Sequence, residues 1–422
     1  MGYSIDIQFF NTFIVRNISG ALHFEESRIK GGFNESFVGI GPKAHIVDEN
    51  FAGQRRDNAL IYSGIYNSRT DVNRTNVFSA VEPITRALDP ANGPIQKLHA
   101  EDTNLNILQN DKVSYALIDK DALFTAEGGQ LTASGAAVIG QIVPYQGKYG
   151  TQHPESFAFK GIRKYFVDKN RAAVLRLSRD GITEISNYGM RDWFRDNLNL
   201  ITSDYPDDKA VGFYDDHDDQ YVVSLQGLSG TIDGVDVNEY YTLSFDDNVN
   251  GWVSFYDYRP DFGFSHNKKF FTLNSNNLYE HYKLDSSRNN FYGSGNASYI
   301  TFIANAQPSM VKNFLAIDFE GSSYWAMESA KSEDGIGTEI QKAHKIDNAE
   351  LSLTGDILNQ FKKKEDKYYS HIKNNTGVIK NGIVGLDTAG IAGLFSIVKM
   401  SNGYTGGSQE LFSVSHNISK SS

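Results

Sequence analysis

Four carboxylates crowd one short stretch of the chain: Asp215, Asp216, Asp218 and Asp219 flank His217 in the run YDDHDDQY. Clustered carboxylates are the hard oxygen ligands that calcium takes. The run lacks the alternating ligand positions and central glycine of an EF-hand loop, so a solvent-facing turn between two strands is the competing reading. Asp71, Asn73 and Asn76 in DVNRTN offer a weaker version of the same chemistry. Nucleotide chemistry fails on spacing: Gly147 and Lys148 are followed by Tyr149 where a phosphate loop needs Ser or Thr, and no G-x-G-x-x-G follows a strand. No H-E-x-x-H and no G-x-S-x-G occurs, and the 10 His are scattered without metal-ligand spacing.

Ser178, Asp180 and Gly181 resemble part of the Asp-box turn of sialidase-type propellers, but Gly directly follows Asp and the expected aromatic is missing. Acid and base carboxylates for glycoside hydrolysis must stand at a fixed separation, and 51 acidic residues do not single out a pair. The expectation is therefore a non-enzyme with no catalytic, cofactor-binding or metal-ligating residue and no cofactor. With no Cys in 422 residues, disulfides, thiolate metal sites and thiol nucleophiles are excluded. A formal charge of −11 argues against free nucleic-acid binding. The basic cluster Lys362, Lys363, Lys364 and Lys367 reads as a solvated hairpin turn, with a phosphate patch as the alternative. The six N-x-S/T triplets, at Asn17, Asn34, Asn73, Asn296, Asn374 and Asn417, follow from an Asn- and Ser-rich composition. No apolar run is long enough to span a bilayer, and MGYSIDIQFF lacks signal-peptide order.

The elements that would carry these residues read as β-structure. Tyr (23) and Phe (27) are abundant in the apolar fraction, and few helices are expected. Leu105–Asp119 reads as a hairpin turning at Gln109–Lys112, and AAVIGQIVPY as a short strand stopped by Pro144. Ser156–Ser186 reads as three strands on two tight turns. Hairpins then recur: Val211–Tyr214 with Tyr221–Leu225, Tyr241–Phe245 with Trp252–Tyr256, and Phe270–Leu273 with Leu278–Tyr282. This spacing predicts an all-β chain, with a propeller favoured over a sandwich or barrel. Expected divisions are a docking segment over 1–90, propeller-like meanders over 91–300 and a β-rich domain over 301–422, with Lys331–Lys345 a linker or short helix. The aromatic-rich loops WFRDNL (Trp193–Leu198) and WVSFYDYRPDF (Trp252–Phe262) are candidate interface anchors, or else core.

Beyond these patterns, ALIYSGIYNSRTDVNRTNVFS, DKVSYALIDKDALFTAEGG, RKYFVDKNRAAVLRLSRDGITEISNYGMRDWFRDNL, GWVSFYDYRPDFGFSHNKKFFTLNSNNLYEHY, ITFIANAQPSMVKNFLAIDFEGSSYW and FKKKEDKYYSHIKNN resemble structural proteins of tailed bacteriophages. Similar sequences occur in muzzle or stabilization-type tail proteins of crAss-like phages and in marine tailed phages. The resemblance runs over roughly 55 to 422, and relatives of this kind are often longer. It implies a non-enzymatic virion component of the tail, muzzle or baseplate region, assembled in the host cytoplasm with ring-forming copies of itself and other tail proteins. It carries over no catalytic residue. An acidic chain would also let DNA pass without sticking. A host-recognition module binding cell-surface glycan and a glycan-degrading propeller are the alternatives.

Overall fold

The computed structural model describes the backbone of residues 13–18 and 21–26 and then residues 56–420, apart from 65, 74, 76–77, 79–83, 102–103, 125–129, 202–208, 233–234, 237–238, 334–340, 348–359, 375–378, 381–382 and 385–389. Most of the 1–90 segment, including Asn34 and Asn76, lies outside the described residues. The chain forms two compact units, Met1–Leu278 and Tyr279–Ser422. Both are β-structure, with one α-helix among the described residues, and that helix is too short to cross a membrane.

Three four-stranded sheets in the first unit are antiparallel meanders, the third interrupted by a small hairpin, Thr231–Ile232 with Val235–Asp236, between its second and third strands. The first holds β1 (Ile95–Glu101), β2 (Asn104–Gln109), β3 (Val113–Phe124) and β4 (Gln130–Pro144). The second holds β5 (Ala158–Lys160), β6 (Arg163–Asp168), β7 (Ala173–Ser178) and β8 (Gly181–Glu184). Helix α1 (Arg191–Leu198) follows. The third sheet holds β9 (Ala210–Asp215), β10 (Gln220–Gln226), β11 (Tyr240–Asp246) and β12 (Gly251–Tyr256). After it, β13 (Phe262–His266) pairs with β14 (Lys269–Asn274). The predicted hairpins are thus present. Among the described residues, however, no closed propeller is seen. The expected short strand before Pro144 is instead 15 residues long, and register shifts bend it against β3.

The second and third sheets share one core, from Tyr165 and Val167 through Phe194 and Leu198 to Tyr221, Val223 and Phe245. Tyr165 stacks on Tyr221 (ring centroids 4.8 Å apart) and on Tyr214 (5.7 Å). Burying phenols in this way obliges each hydroxyl to find an acceptor. Tyr221 donates to the Ser156 carbonyl at 2.8 Å, and Tyr165 donates to the Asp247 carboxylate. Gly212 lets the Ser156 carbonyl come this close, because a Cβ there would lie 2.0 Å from that oxygen. Asp247, in the turn between β11 and β12, also pairs with Arg163 (3.0 Å) and Arg176 (2.5 Å) of the second sheet, its side chain only 6% exposed.

The second unit is a sandwich. In one sheet β15 (Ser298–Ala304) pairs with β21 (Phe395–Asn402), which pairs with β17 (Trp325–Glu333), followed by Gln341–Lys342. In the other, β16 (Lys312–Gly321) pairs along one side with β19 (Lys367–His371) and β20 (Ile391–Gly393), and along the other with β22 (Leu411–Lys420). The strand β18 (Lys362–Lys364) closes that sheet beside β19. The described ends of Lys331–Lys345 are therefore strand, not helix. A register shift in β16 between Phe314 and Ala316 changes the phase of its alternation, so Phe314, Ile317 and Phe319 all enter the core despite their spacing. Lys312 is buried too, its ammonium donating to the carbonyls of Gln307 (3.1 Å), Met310 (3.3 Å) and Leu394.

Two predictions follow from these interiors. Asp247→Ala strands Arg176 and the Tyr165 hydroxyl in the core and should cost about 3 kcal/mol, the low end for a broken buried pair because Arg163 is half in water. A urea midpoint unchanged from wild type would contradict this. In the second unit, His416 packs beside Phe302 and Phe314 with both ring nitrogens buried and lacking hydrogen-bond partners among the described residues. Burial pushes its imidazole down from 6.5 to about 4, against a small opposing pull from Asp318. The unfolded chain takes up the proton first, so stability should fall as pH drops from about 6.5 to about 4, by up to about 3 kcal/mol from this group. His416→Phe should lose less stability than wild type between pH 7 and pH 4 in urea titrations.

Candidate functional site

The residues RDWFRDNL form α1, correcting the expectation of a loop at Trp193–Leu198. Phe194 and Leu198, four apart, share its buried face. Asn197 and Asn199 fold back to the carbonyls of Trp193 (2.8 Å) and Arg195 (2.7 Å), answering acceptors in the last turn. Arg195 bridges Asp192 at 2.7 Å and Asp196 at 2.8 Å on the outer side.

Below the helix, β12 is the edge strand of the third sheet. A register shift pairs Ser244 with Ser254 but Phe245 with Trp252, leaving Val253 as the extra residue. Trp252 and Phe255, three positions apart, consequently lie on the same face, opposite Phe245 and Leu243. Trp252 turns inward, its ring 4.6 Å from Phe194 and its indole donating to the Ile185 carbonyl at 3.1 Å. Phe255 stays at the rim, 55% exposed, with Val253 43% exposed beside it. Trp193 meets Phe255 (5.4 Å) and Tyr241 (5.3 Å) edge to face.

The two candidate anchor segments therefore divide. Phe194 and Leu198 belong to the core and Trp252, Trp193 and Tyr241 pack partly buried against it, while Trp193 and Tyr241 also meet the exposed Phe255 to form an aromatic patch at a sheet edge beside the charged outer side of α1. An apolar centre with a charged margin is the anatomy of a protein-binding surface.

The acidic run sits at the turn between β9 and β10, and its carboxylates face separate partners. Asp215 accepts from the His217 amide (2.8 Å), Asp216 pairs with Lys160 (2.6 Å), Asp218 meets the His217 ring (2.7 Å), and Asp219 accepts from Tyr214 (3.0 Å). Among the described residues, no three His, Asp or Glu side chains gather as a metal site. Asp71 accepts from Tyr66 (2.9 Å), and Asn73 accepts from Thr75 (2.6 Å). Ser178 donates to Asp180 within a hairpin turn whose Gly181 has φ +106°. Gly147 accepts from Lys112 through its carbonyl at 2.7 Å. The lysine cluster is a hairpin, β18 to β19, turning through Glu365 and Asp366, with Lys367 on Glu320 (2.6 Å).

Sequence reasoning missed Asp247. Its partners, Arg163, Tyr165 and Arg176, lie more than 70 positions upstream, and only the sheet packing reveals them. The aromatic patch yields a direct contrast. Phe194→Ala should cost about 3–5 kcal/mol, as for a fully buried ring, whereas Phe255→Ala should cost under about 1 kcal/mol. Equal losses in urea unfolding would deny that Phe255 is a surface group.

Comparison with known proteins adds a finding for the second unit. Among curated proteins none matches the chain. Residues 286–375, which include β15 to β19, match the family model of the Crassvirus muzzle protein C-terminal domain. Over these residues the match bears out the resemblance to muzzle-type structural proteins of crAss-like phages.

Proposed function

We propose that the chain is a non-enzymatic structural subunit of a tailed-phage virion, placed in the muzzle region of the tail. It assembles in the host cytoplasm with ring-forming copies of itself and with neighbouring tail proteins. The observation that carries this reading is the match to the Crassvirus muzzle protein C-terminal domain over residues 286–375. The patch of Trp193, Tyr241 and Phe255 supports it from the first unit, as a place where a neighbouring subunit docks. Weak contacts of this kind gain strength when a symmetric assembly repeats them. The three consecutive four-stranded meanders are blade-like units, which supports a propeller-like organisation of this unit.

The same patch favours one second reading, a host-recognition module, because an exposed aromatic ring such as Phe255 also stacks on sugars. Mass spectrometry and cryo-EM of purified virions separate the two. The structural reading expects the chain in the particle, with Phe255 covered by another subunit. Absence from virions overturns it. A patch left open on the particle, with glycan binding lost in Phe255→Ala, would establish the second reading instead.

A further inference from the structure

The outer strands of the sandwich differ in how they are guarded. Strand β18 carries Lys362, Lys363 and Lys364, all exposed, and lysine on an outer strand discourages pairing with another chain. Strand β15, SYITFIA, has no charge, no proline and no register shift against β21. Among the described residues it pairs on one side only. Phe302 and Ala304 lean on the core. Tyr299 and Ile303 point the other way, 55% and 63% exposed. The ammonium of Lys399 sits 4.0 Å from the Tyr299 ring centre and steadies that ring. On the same flank, β22 approaches through His416, whose ring lies 6.1 Å from Phe302, and it adds Phe412, 72% exposed.

The strand is also complementary to itself. Turned antiparallel about Thr301, a second β15 sets each Tyr299 opposite the other copy's Ile303, each Ile300 opposite Phe302, and Thr301 opposite Thr301. Aromatic with β-branched residues and Thr with Thr are favourable cross-strand pairs, and no like charges meet. The same operation on β18 would bring lysines together. We infer that β15 is a pairing site for a second copy of this chain, joining two sandwiches through a continuous sheet across a two-fold axis. The inference deepens the proposed structural role and rests on it only for where the pairing acts.

The absence of Cys makes the test clean. Residues directly opposite in an antiparallel pair have Cα atoms about 4.5–5.5 Å apart, within the span a disulfide bridges. Thr301→Cys, in the full chain under mild oxidation, should therefore form a covalent dimer, while Ser275→Cys on an exposed turn should not. Ile303→Lys should weaken self-association at least 10-fold in sedimentation, which covers the case of a poorly folded cysteine variant. A folded Thr301→Cys that stays monomeric, dimerises no faster than Ser275→Cys, or cross-links in virions to a different protein overturns the inference. So does unchanged association of Ile303→Lys. A chain present in virions without this cross-link sinks the pairing alone. A cross-link in solution with no chain in virions sinks the virion role alone.

Discussion

The carboxylate of Asp247 ties two sheets of the first unit together, and much of that unit's interior depends on it. An interior built from tyrosine and tryptophan gains large apolar area, but each ring brings a polar atom that must be answered. Tyr221 and Trp252 use backbone carbonyls. Tyr165, at the centre of the stack, reaches a charged turn, and that turn must then be neutralised by Arg163 and Arg176. Burial, helped by the hydrogen bond to Asp247, raises the Tyr165 phenol far above its ordinary value, so it remains a donor at any working pH. One turn residue thus fixes how β6 and β7 lie against the hairpin of β11 and β12.

The second unit meets a similar demand with backbone irregularity. Register shifts in β16 and β17 let residues at uneven spacing enter one core. Lys312, brought inside by the first half of β16, gathers carbonyls from the loop before it and from the residue ahead of β21.

Much of this was legible in the sequence because meanders are local. Tyr240–Asp246 alternates cleanly and is joined to the aromatic Gly251–Tyr256 by a turn of Asp and Asn, and nothing distant is needed to read the hairpin. The long β4 was not legible, since QLTASGAA lacks the β-branched and aromatic density of a strand. Helix α1 escaped because its eight residues hold Trp and Phe, which serve a strand or a loop equally well. The aromatic patch was half legible: the residue types marked both segments, but only the shift at Val253 decides that Trp252 turns in and Phe255 stays out. The resemblance to phage tail proteins rested on whole phrases of sequence, and its matched portion falls where the sandwich is built.

The pairing of β15 with β21 joins residues about a hundred positions apart, and β16 waits equally long for β22. The first unit's sheets each close within a few dozen residues. Contacts local in sequence form fast and distant ones slowly. On a ribosome, the meanders can therefore complete while the sandwich strands are still being made. For that interval the uncharged β15 lacks its β21 partner, and the charged residues of β16 and β17, followed by the lysines of β18, are what the unfinished sheets carry to keep growing chains apart.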